Sequence, residues 1–197
     1  MISFININGS EPYNKFYSYY KKAELSQSNI DAVCISSLDT LKSEVDSRIV
    51  NLKYIKNDEW IFFSNYHSPK ALQFDMHDQI SANFFWPSIN CQIRIKAKIC
   101  KTSNKFSDKH YTSRLNEKNI VAHVSDQSNK IGSYEEFLEK INNKSSVNKY
   151  IERPEYWGGF SFIPYYFEFW EGHDSRINKR CVYDFIDNEW EKFFLQP

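Results

Sequence analysis

Polar and apolar residues alternate most regularly in CQIRIKAKICKTS, where Ile93, Ile95, Ala97 and Ile99 interleave with Arg94, Lys96 and Lys98. A period of two sends one set to the buried face of a sheet and the other to water. Strand character also marks IDAVCISSL, SRIVNLKYI, EWIFFSNY and QISANFFWP, and later GFSFIPYYFEFWEG and KRCVYDFIDNEWEKFFLQP. Asn57-Asp58 supplies turn chemistry between SRIVNLKYI and EWIFFSNY, so these two are expected to form a hairpin. Elsewhere the period lengthens. In EPYNKFYSYYKKAELSQ, Pro12 suits a first turn and Phe16, Tyr19, Tyr20 and Ala23 share one face, predicting a helix over about 11–26. SPKALQFDMH reads as a short helix capped by Ser68, with Pro69 at its first position. SDKHYTSRLNEKNIVAHVSD begins as helix, and SYEEFLEKINN follows with Ser133 and Glu136 as a capping box. Helices thus occupy about 107–145, before the linker SSVNKYIERPEYWGG. With no internal repeat, this order predicts one domain over 1–197, mainly β, an antiparallel barrel with peripheral helices.

Composition narrows the function classes. A chain of 197 residues suits a single well-buried domain. Lys+Arg and Asp+Glu both number 25, so there is no basic excess of the kind a general nucleic-acid or membrane-surface binder carries. A local basic pocket is still allowed. Sixteen Phe, 13 Tyr and 5 Trp against 5 Gly favour strands over disordered chain. Four cysteines without a C-x-x-C pair exclude a zinc ribbon or thioredoxin motif, and no metal site is expected. Neither G-x-G-x-x-G nor G-x-x-x-x-G-K-[ST] occurs, which speaks against Rossmann and P-loop sites. MISFININGSEPYNKF does not read as a signal peptide, and no run approaches the roughly 18 apolar residues of a membrane span. A cytoplasmic protein with reduced thiols is the expectation.

Five segments carry candidate chemistry. Arg48 and Lys53 sit on one expected strand at a spacing that places them on opposite faces. Ser64 ends a strand, and Ser68 and Lys70 open a helix whose free N–H groups form an anion site. His110, Arg114 and Lys118 follow at i, i+4 and i+8; on one helix these cations share a face and repel, which a phosphate-sized ligand would relieve or plain solvation could. Gln127 and Ser128 are ordinary loop residues. In EFWEGHDSRINKR, Trp170 precedes Arg176, Asn178 and Arg180, so two guanidiniums lie near an indole that offers a stacking face or one N–H.

In order and spacing these segments resemble the pyridoxamine/pyridoxine 5′-phosphate oxidase family, the FMN-binding split-barrel enzymes. SRIVNLK is similar to the family's R-x-V-x-L-K strand, FFSNYHSPKA to its aromatic-[TS]-N-x-x-S-x-K-A turn, and FFWPSINCQIRIKAKI to its F-x-W…Q-[VI]-R strand pair. HYTSR falls on Y-F-x-S-R and DQS on the paired Gln-Ser. RPEYWGGFSFIPYYFEFWEGHDSRINKR falls on P-x-x-W-G-G…E-F-W-x-G…R-L-H-D-R, the most specific stretch. The resemblance covers almost the whole chain.

It implies a split β-barrel with Greek-key connections and FMN contacts at Arg48, Ile49, Val50, Leu52, Lys53, Phe63, Ser64, Lys70, Gln92, Gln127, Ser128, Trp170 and Arg180. It also implies an obligate homodimer with the flavin between subunits. A substrate phosphate would meet Lys53, His110, Arg114 and Lys118, where His110 and Lys118 replace the family's Tyr and Ser. Arg176 and Asn178 would flank the reacting ring, Asn178 standing where the family has His and Lys179 where it has Asp. Pro69 replaces a usual Arg. The implied activity is oxidation of pyridoxamine or pyridoxine 5′-phosphate to pyridoxal 5′-phosphate, with hydride passing to flavin N5 and dioxygen as reoxidant. Two alternatives remain at this point. One is a split-barrel oxidase of another planar anion, such as a phenazine precursor; the other is a non-catalytic FMN- or pyridoxal-phosphate-binding protein.

Overall fold

The computed structural model describes residues 1–145 and 152–197, so part of the expected linker lies outside the described residues. Among these described residues ten strands form one sheet: β1 Ser3–Ile5, β2 Ala32–Asp39, β3 Glu44–Asn51, β4 Tyr54–Lys56, β5 Glu59–Asn65, β6 Gln79–Trp86, β7 Cys91–Lys101, β8 Trp157–Glu171, β9 Lys179–Ile186 and β10 Glu189–Leu195. Their order is β1-β4-β5-β8-β7-β6-β2-β3, with β9 on β8 and β10 on β9. Only the β1–β4 pairing is parallel among these. The expected mainly antiparallel β architecture is therefore present.

The long strand β8 organises it. One edge of β8 pairs with β7 along nearly its whole length. The other edge pairs first with β5, through Trp157–Phe162, and then with β9, through Tyr166–Glu171. Between these stretches the β7 register shifts at Lys96/Ala97, opposite Pro164 and Tyr166, leaving Tyr165 as the extra residue of a bulge. Proline lacks the N–H a ladder needs, so a bulge is where a strand tolerates it. The sheet divides at that point.

Among the described residues five α-helices accompany the sheet, α5 packing on α4: α1 Glu11–Glu24, α2 Pro69–Met76, α3 Asn104–Ser113, α4 Asn116–Val124 and α5 Tyr134–Ser145. Of the stripe read in α1, Phe16, Tyr20 and Ala23 are buried on the core and Tyr19 is half-buried against it, while Tyr13 adds a buried ring that the stripe did not include. Phe16 is fully buried, its ring centroid 4.4 Å from that of Trp60 and 5.2 Å from that of Phe84. No helix among the described residues is long and apolar enough to cross a membrane.

Two expectations are corrected. SRIVNLKYI is not one strand paired with EWIFFSNY. It breaks at Leu52-Lys53, where the Leu52 N–H donates to the Asp31 carbonyl and the Lys53 N–H to that of Ile61. Upstream of the break β3 folds back on β2; downstream β4 forms the hairpin with β5, Asn57 adopting φ 54° in its turn. The stretch after Ser107 is likewise two helices, because Arg114 leaves helical geometry at ψ 156°. The capping-box serine is in place, Ser133 Oγ accepting from the Glu136 N–H at 3.1 Å.

Truncating Phe16 leaves a cavity among packed rings. We expect Phe16→Ala to lower unfolding free energy in urea by about 3–5 kcal/mol. A loss below about 1 kcal/mol would show that α1 is not seated on the core as described.

Candidate functional site

The break at Leu52-Lys53 creates the site. An unbroken strand would turn Arg48 and Lys53 to opposite faces; instead both line a cleft of about 900 Å³. Its walls come from β3, the end of β5 at Phe63 and Ser64, and the start of α2 at Pro69 and Lys70. The α3–α4 corner, the Gln127-Ser128 loop and Trp157 at the start of β8 complete them. The charged lining is Arg48, Lys53, Lys70, Arg114 and Lys118, with Asp46 as its carboxylate.

Each cation is held differently. Arg48 donates to Ser37 Oγ at 2.6 Å and Gln73 Oε1 at 3.0 Å and lies 3.4 Å from Asp46. Lys53 pairs with Asp31 at 3.2 Å. Among the described residues Lys70 has only Ser64 Oγ, at 3.3 Å, and burial together with nearby Arg48 lowers its pKa. The guanidinium of Arg114 lies 4.3 Å above Trp157, and its Nη2 donates to the Lys118 carbonyl at 3.3 Å. Among the described residues its Nη1 is buried with no hydrogen-bond partner, and burial works against the charge. Ser68 sits at the N-cap of α2, but its hydroxyl donates to the Asn65 carbonyl and gives no side-chain cap. In that first turn Pro69 has no N–H and the Ala71 and Leu72 N–H groups donate to the Ser68 carbonyl, which leaves the Lys70 N–H without a side-chain cap.

His110 is not the cation expected from its spacing. It lies parallel to Phe63 with ring centroids 3.7 Å apart, and its Nδ1 is 2.8 Å from the Tyr54 hydroxyl. Burial, then the charges of Arg114 and Lys53, push its pKa down to about 4, so the imidazole is neutral near pH 7. His110, Arg114 and Lys118 do meet at the cleft, but through the corner at Arg114 and not as one helical face.

Of the other expected residues, Ile49, Val50, Gln127 and Ser128 line the cleft, while Leu52 is fully buried in the core and does not. Gln127 Oε1 accepts weakly from the Asn65 N–H at 3.4 Å, and Ser128 adopts φ 73°. Gln92, Trp170 and Arg180 lie elsewhere. They are direct neighbours in one row across β7, β8 and β9 and so share a face of the sheet. Arg180 Nε donates to Glu168 at 2.7 Å; that carboxylate is 1% exposed and also holds Arg94 at 2.8 Å. Burial raises the Glu168 pKa, but the two arginines outweigh it and leave it lowered.

Arg176, exposed at φ 60°, and Asn178 lie in the loop after β8, outside the cleft lining. The Asn178 side chain is used within that loop, Oδ1 accepting from the His173 N–H at 3.0 Å. Within one chain the expected residues thus fall into two groups. Sequence reasoning missed Trp157, Tyr54 and the Ser37–Gln73 support of Arg48. Only Trp157 carried a local signal, its place in W-G-G. Among the described residues no three His, Cys, Asp or Glu side chains cluster to hold a metal.

Comparison with known proteins gives this arrangement a class and then a family. Two solved structures share the fold. The PhzG protein of Burkholderia lata, in complex with tetrahydrophenazine-1-carboxylic acid, aligns with a TM-score of 0.90 at 21% identity, covering 95% of this chain and 93% of that one. A pyridoxamine 5′-phosphate oxidase-related, FMN binding protein of Nostoc punctiforme aligns at 0.79 and 12% identity, covering 96% and 99%. The fold is a split β-barrel.

Residues 157–197 match the pyridoxine 5′-phosphate oxidase C-terminal dimerisation region. The pyridoxine/pyridoxamine 5′-phosphate oxidase of Cytophaga hutchinsonii is 41% identical over 155 residues, 77% of this chain and 72% of that protein. That of Legionella pneumophila is 33% identical over 196 residues, 95% and 88%. The chain belongs to the pyridoxine/pyridoxamine 5′-phosphate oxidase family.

The depressed His110 pKa has a measurable sign. An unfolded histidine takes a proton near 6.5, whereas folded His110 resists until about 4. Its penalty on folding is absent above about 6.5, grows as pH falls and is complete below about 4. We expect the melting temperature of His110→Phe to fall less than that of the wild type across this window. A difference between the two proteins that does not change with pH would contradict the buried, neutral imidazole.

Proposed function

We propose that this chain is an FMN-dependent oxidase that converts pyridoxamine or pyridoxine 5′-phosphate to pyridoxal 5′-phosphate. The observation that carries the proposal is Arg114. A buried guanidinium nitrogen without a partner among the described residues, on a cleft lined by five cations and one carboxylate, is a site prepared for an anion.

The residues present fit FMN. A cleft of about 900 Å³ lies in the range of cofactor sites. Arg48, Lys70, Ser128 and the uncapped start of α2 suit a phosphate. Ile49, Val50, Lys53, Phe63, Ser64 and Gln127 would flank the ring, and Leu52 would contribute only through its backbone, since its side chain is core. Gln92, Trp170 and Arg180 do not line this cleft, so they would come from a second protomer. That gives a homodimer with two composite sites. Supporting this, the matched dimerisation region carries exposed Ile177 and Phe194, and Ile49 is 73% exposed at the cleft rim.

When bound, FMN supplies a two-electron acceptor at N5 for hydride from the substrate's C4′ carbon, and dioxygen takes those electrons to give hydrogen peroxide. The protein's part is orientation. Lys53, Arg114 and Lys118 grip the substrate phosphate with neutral His110 beside them, fixing the pyridine ring in the cleft. Arg176 and Asn178 of the second protomer would cover the reacting face. Asn178 cannot titrate near neutrality as a histidine would, so it positions without transferring a proton.

A second reading keeps FMN and changes the substrate to another planar anion. It is favoured by Asn178, whose side-chain oxygen already serves its own loop.

Aerobic incubation of FMN-loaded protein with pyridoxine 5′-phosphate should yield pyridoxal 5′-phosphate and equimolar hydrogen peroxide. Bound flavin that neither phosphate bleaches under anaerobic conditions would overturn the first reading, and bleaching by an aromatic carboxylate would establish the second. Removing one charge-assisted phosphate contact costs about 1.5–3 kcal/mol, so we expect Lys70→Ala to weaken FMN binding by roughly 10- to 150-fold in fluorescence titration.

A further inference from the structure

Tyr54 does not line the cleft, yet it is the residue His110 depends on. The Tyr54 ring is boxed edge-on by three others, with centroids 5.3 Å from Phe106, 5.4 Å from His110 and 6.3 Å from Phe63. Its hydroxyl is thereby aimed at His110 Nδ1, 2.8 Å away. The imidazole is pinned between that hydroxyl and the parallel face of Phe63. Of its two nitrogens, Nδ1 is occupied by Tyr54. Nε2 has no hydrogen-bond partner among the described residues, on a ring that lines the cleft with Lys53, Arg114 and Lys118.

A neutral imidazole carries one N–H and one lone pair, and the partner of one nitrogen decides what the other offers. If the phenol donates to Nδ1, Nε2 must carry the hydrogen. If Nδ1–H donates to the phenol oxygen, a bare lone pair faces the cleft. The surroundings choose between them. Phenol O–H is the better donor and imidazole nitrogen the better acceptor, and an anion drawn in by three cations would be repelled by a lone pair. We propose that Tyr54 is a positioning residue that locks His110 as its Nε2–H tautomer, and that this N–H is a neutral, specificity-determining donor to a phosphate oxygen of the substrate. The proposal rests on the reading of the cleft as a site for a phosphorylated substrate. It makes the substrate grip a mixed set, in which three charges supply attraction and His110 supplies direction without a fourth charge.

The test uses FMN-loaded protein labelled with ¹⁵N-histidine, in which long-range ¹H–¹⁵N correlation reports the tautomer and His110→Phe assigns the signal. Wild type should show His110 protonated at Nε2 alone, and Tyr54→Phe a mixture. Kinetically, Tyr54→Phe should raise KM for pyridoxine 5′-phosphate about five- to tenfold, the loss expected of one oriented hydrogen bond, with kcat and FMN affinity nearly unchanged. In a His110→Gln background, whose amide donates without a tautomer to choose, Tyr54→Phe should cost nothing further; an equal cost in both backgrounds would reduce Tyr54 to packing and overturn the proposal. His110 protonated at Nδ1 would overturn it directly. If the loaded protein does not turn over pyridoxine 5′-phosphate, the functional reading fails on its own. The proposal is then decided by titration with inorganic phosphate, a moving Nε2–H resonance upholding it and an unmoved one refuting it.

Discussion

Like charges gathered on one partly buried cleft dominate this molecule. Lys70 and Arg114 are partly buried on the same cleft as Arg48, Lys53 and Lys118, and Asp46 is the carboxylate in that lining. Such a set is unfavourable without a partner, because burial works against the charges of Arg48, Lys70 and Arg114 and like charges repel one another. The fold meets part of the cost through support from outside the cleft. Ser37 and Gln73 hold Arg48, Asp31 holds Lys53, and the Trp157 face holds Arg114. What it leaves unmet, the second nitrogen of Arg114 and the lone hydroxyl contact of Lys70, is what a phosphorylated ligand would complete.

The geometry that gathers the charges comes from interruptions in otherwise regular elements. The break at Leu52-Lys53 turns two cations to one side, and the corner at Arg114 turns three α3–α4 residues inward. The division of β8 between β5 and β9 has a second consequence. It leaves the Gln92–Trp170–Arg180 row on a different part of the sheet from the cleft, braced by the buried Glu168. Residues that a family signature joins in sequence are therefore two separate groups in one chain.

Regular periodicity made much of this legible. The alternation in β7, the α1 stripe and the Asn57-Asp58 turn all appear where local pattern places them, because each depends on nearest neighbours. The failures are long-range. Leu52 ends a strand because its N–H is taken by Asp31, twenty-one positions earlier in the chain, and no window around SRIVNLKYI contains that fact. His110 looks cationic by spacing and is neutral because Phe63, Arg114 and Lys53 surround it. W-G-G was legible as a motif but not as mechanics. A Cβ on Gly158 would sit 2.1 Å from the Tyr66 hydroxyl oxygen, and one on Gly159 2.6 Å from Thr102 Oγ1, so both glycines let β8 close on its neighbours and bring Trp157 to the cleft wall.

Subunit complementation measures directly whether residues from two different protomers make one flavin site. Lys70→Glu disables the cleft and Trp170→Ala the row, so each variant alone should retain little FMN through gel filtration. Co-expressed, they should form mixed dimers holding one intact and one doubly defective site, restoring bound flavin to about a quarter of the wild-type level when subunits pair at random. Flavin no higher in the co-expressed sample than in the separate variants would show that a single chain builds its site alone, and the composite arrangement would be wrong.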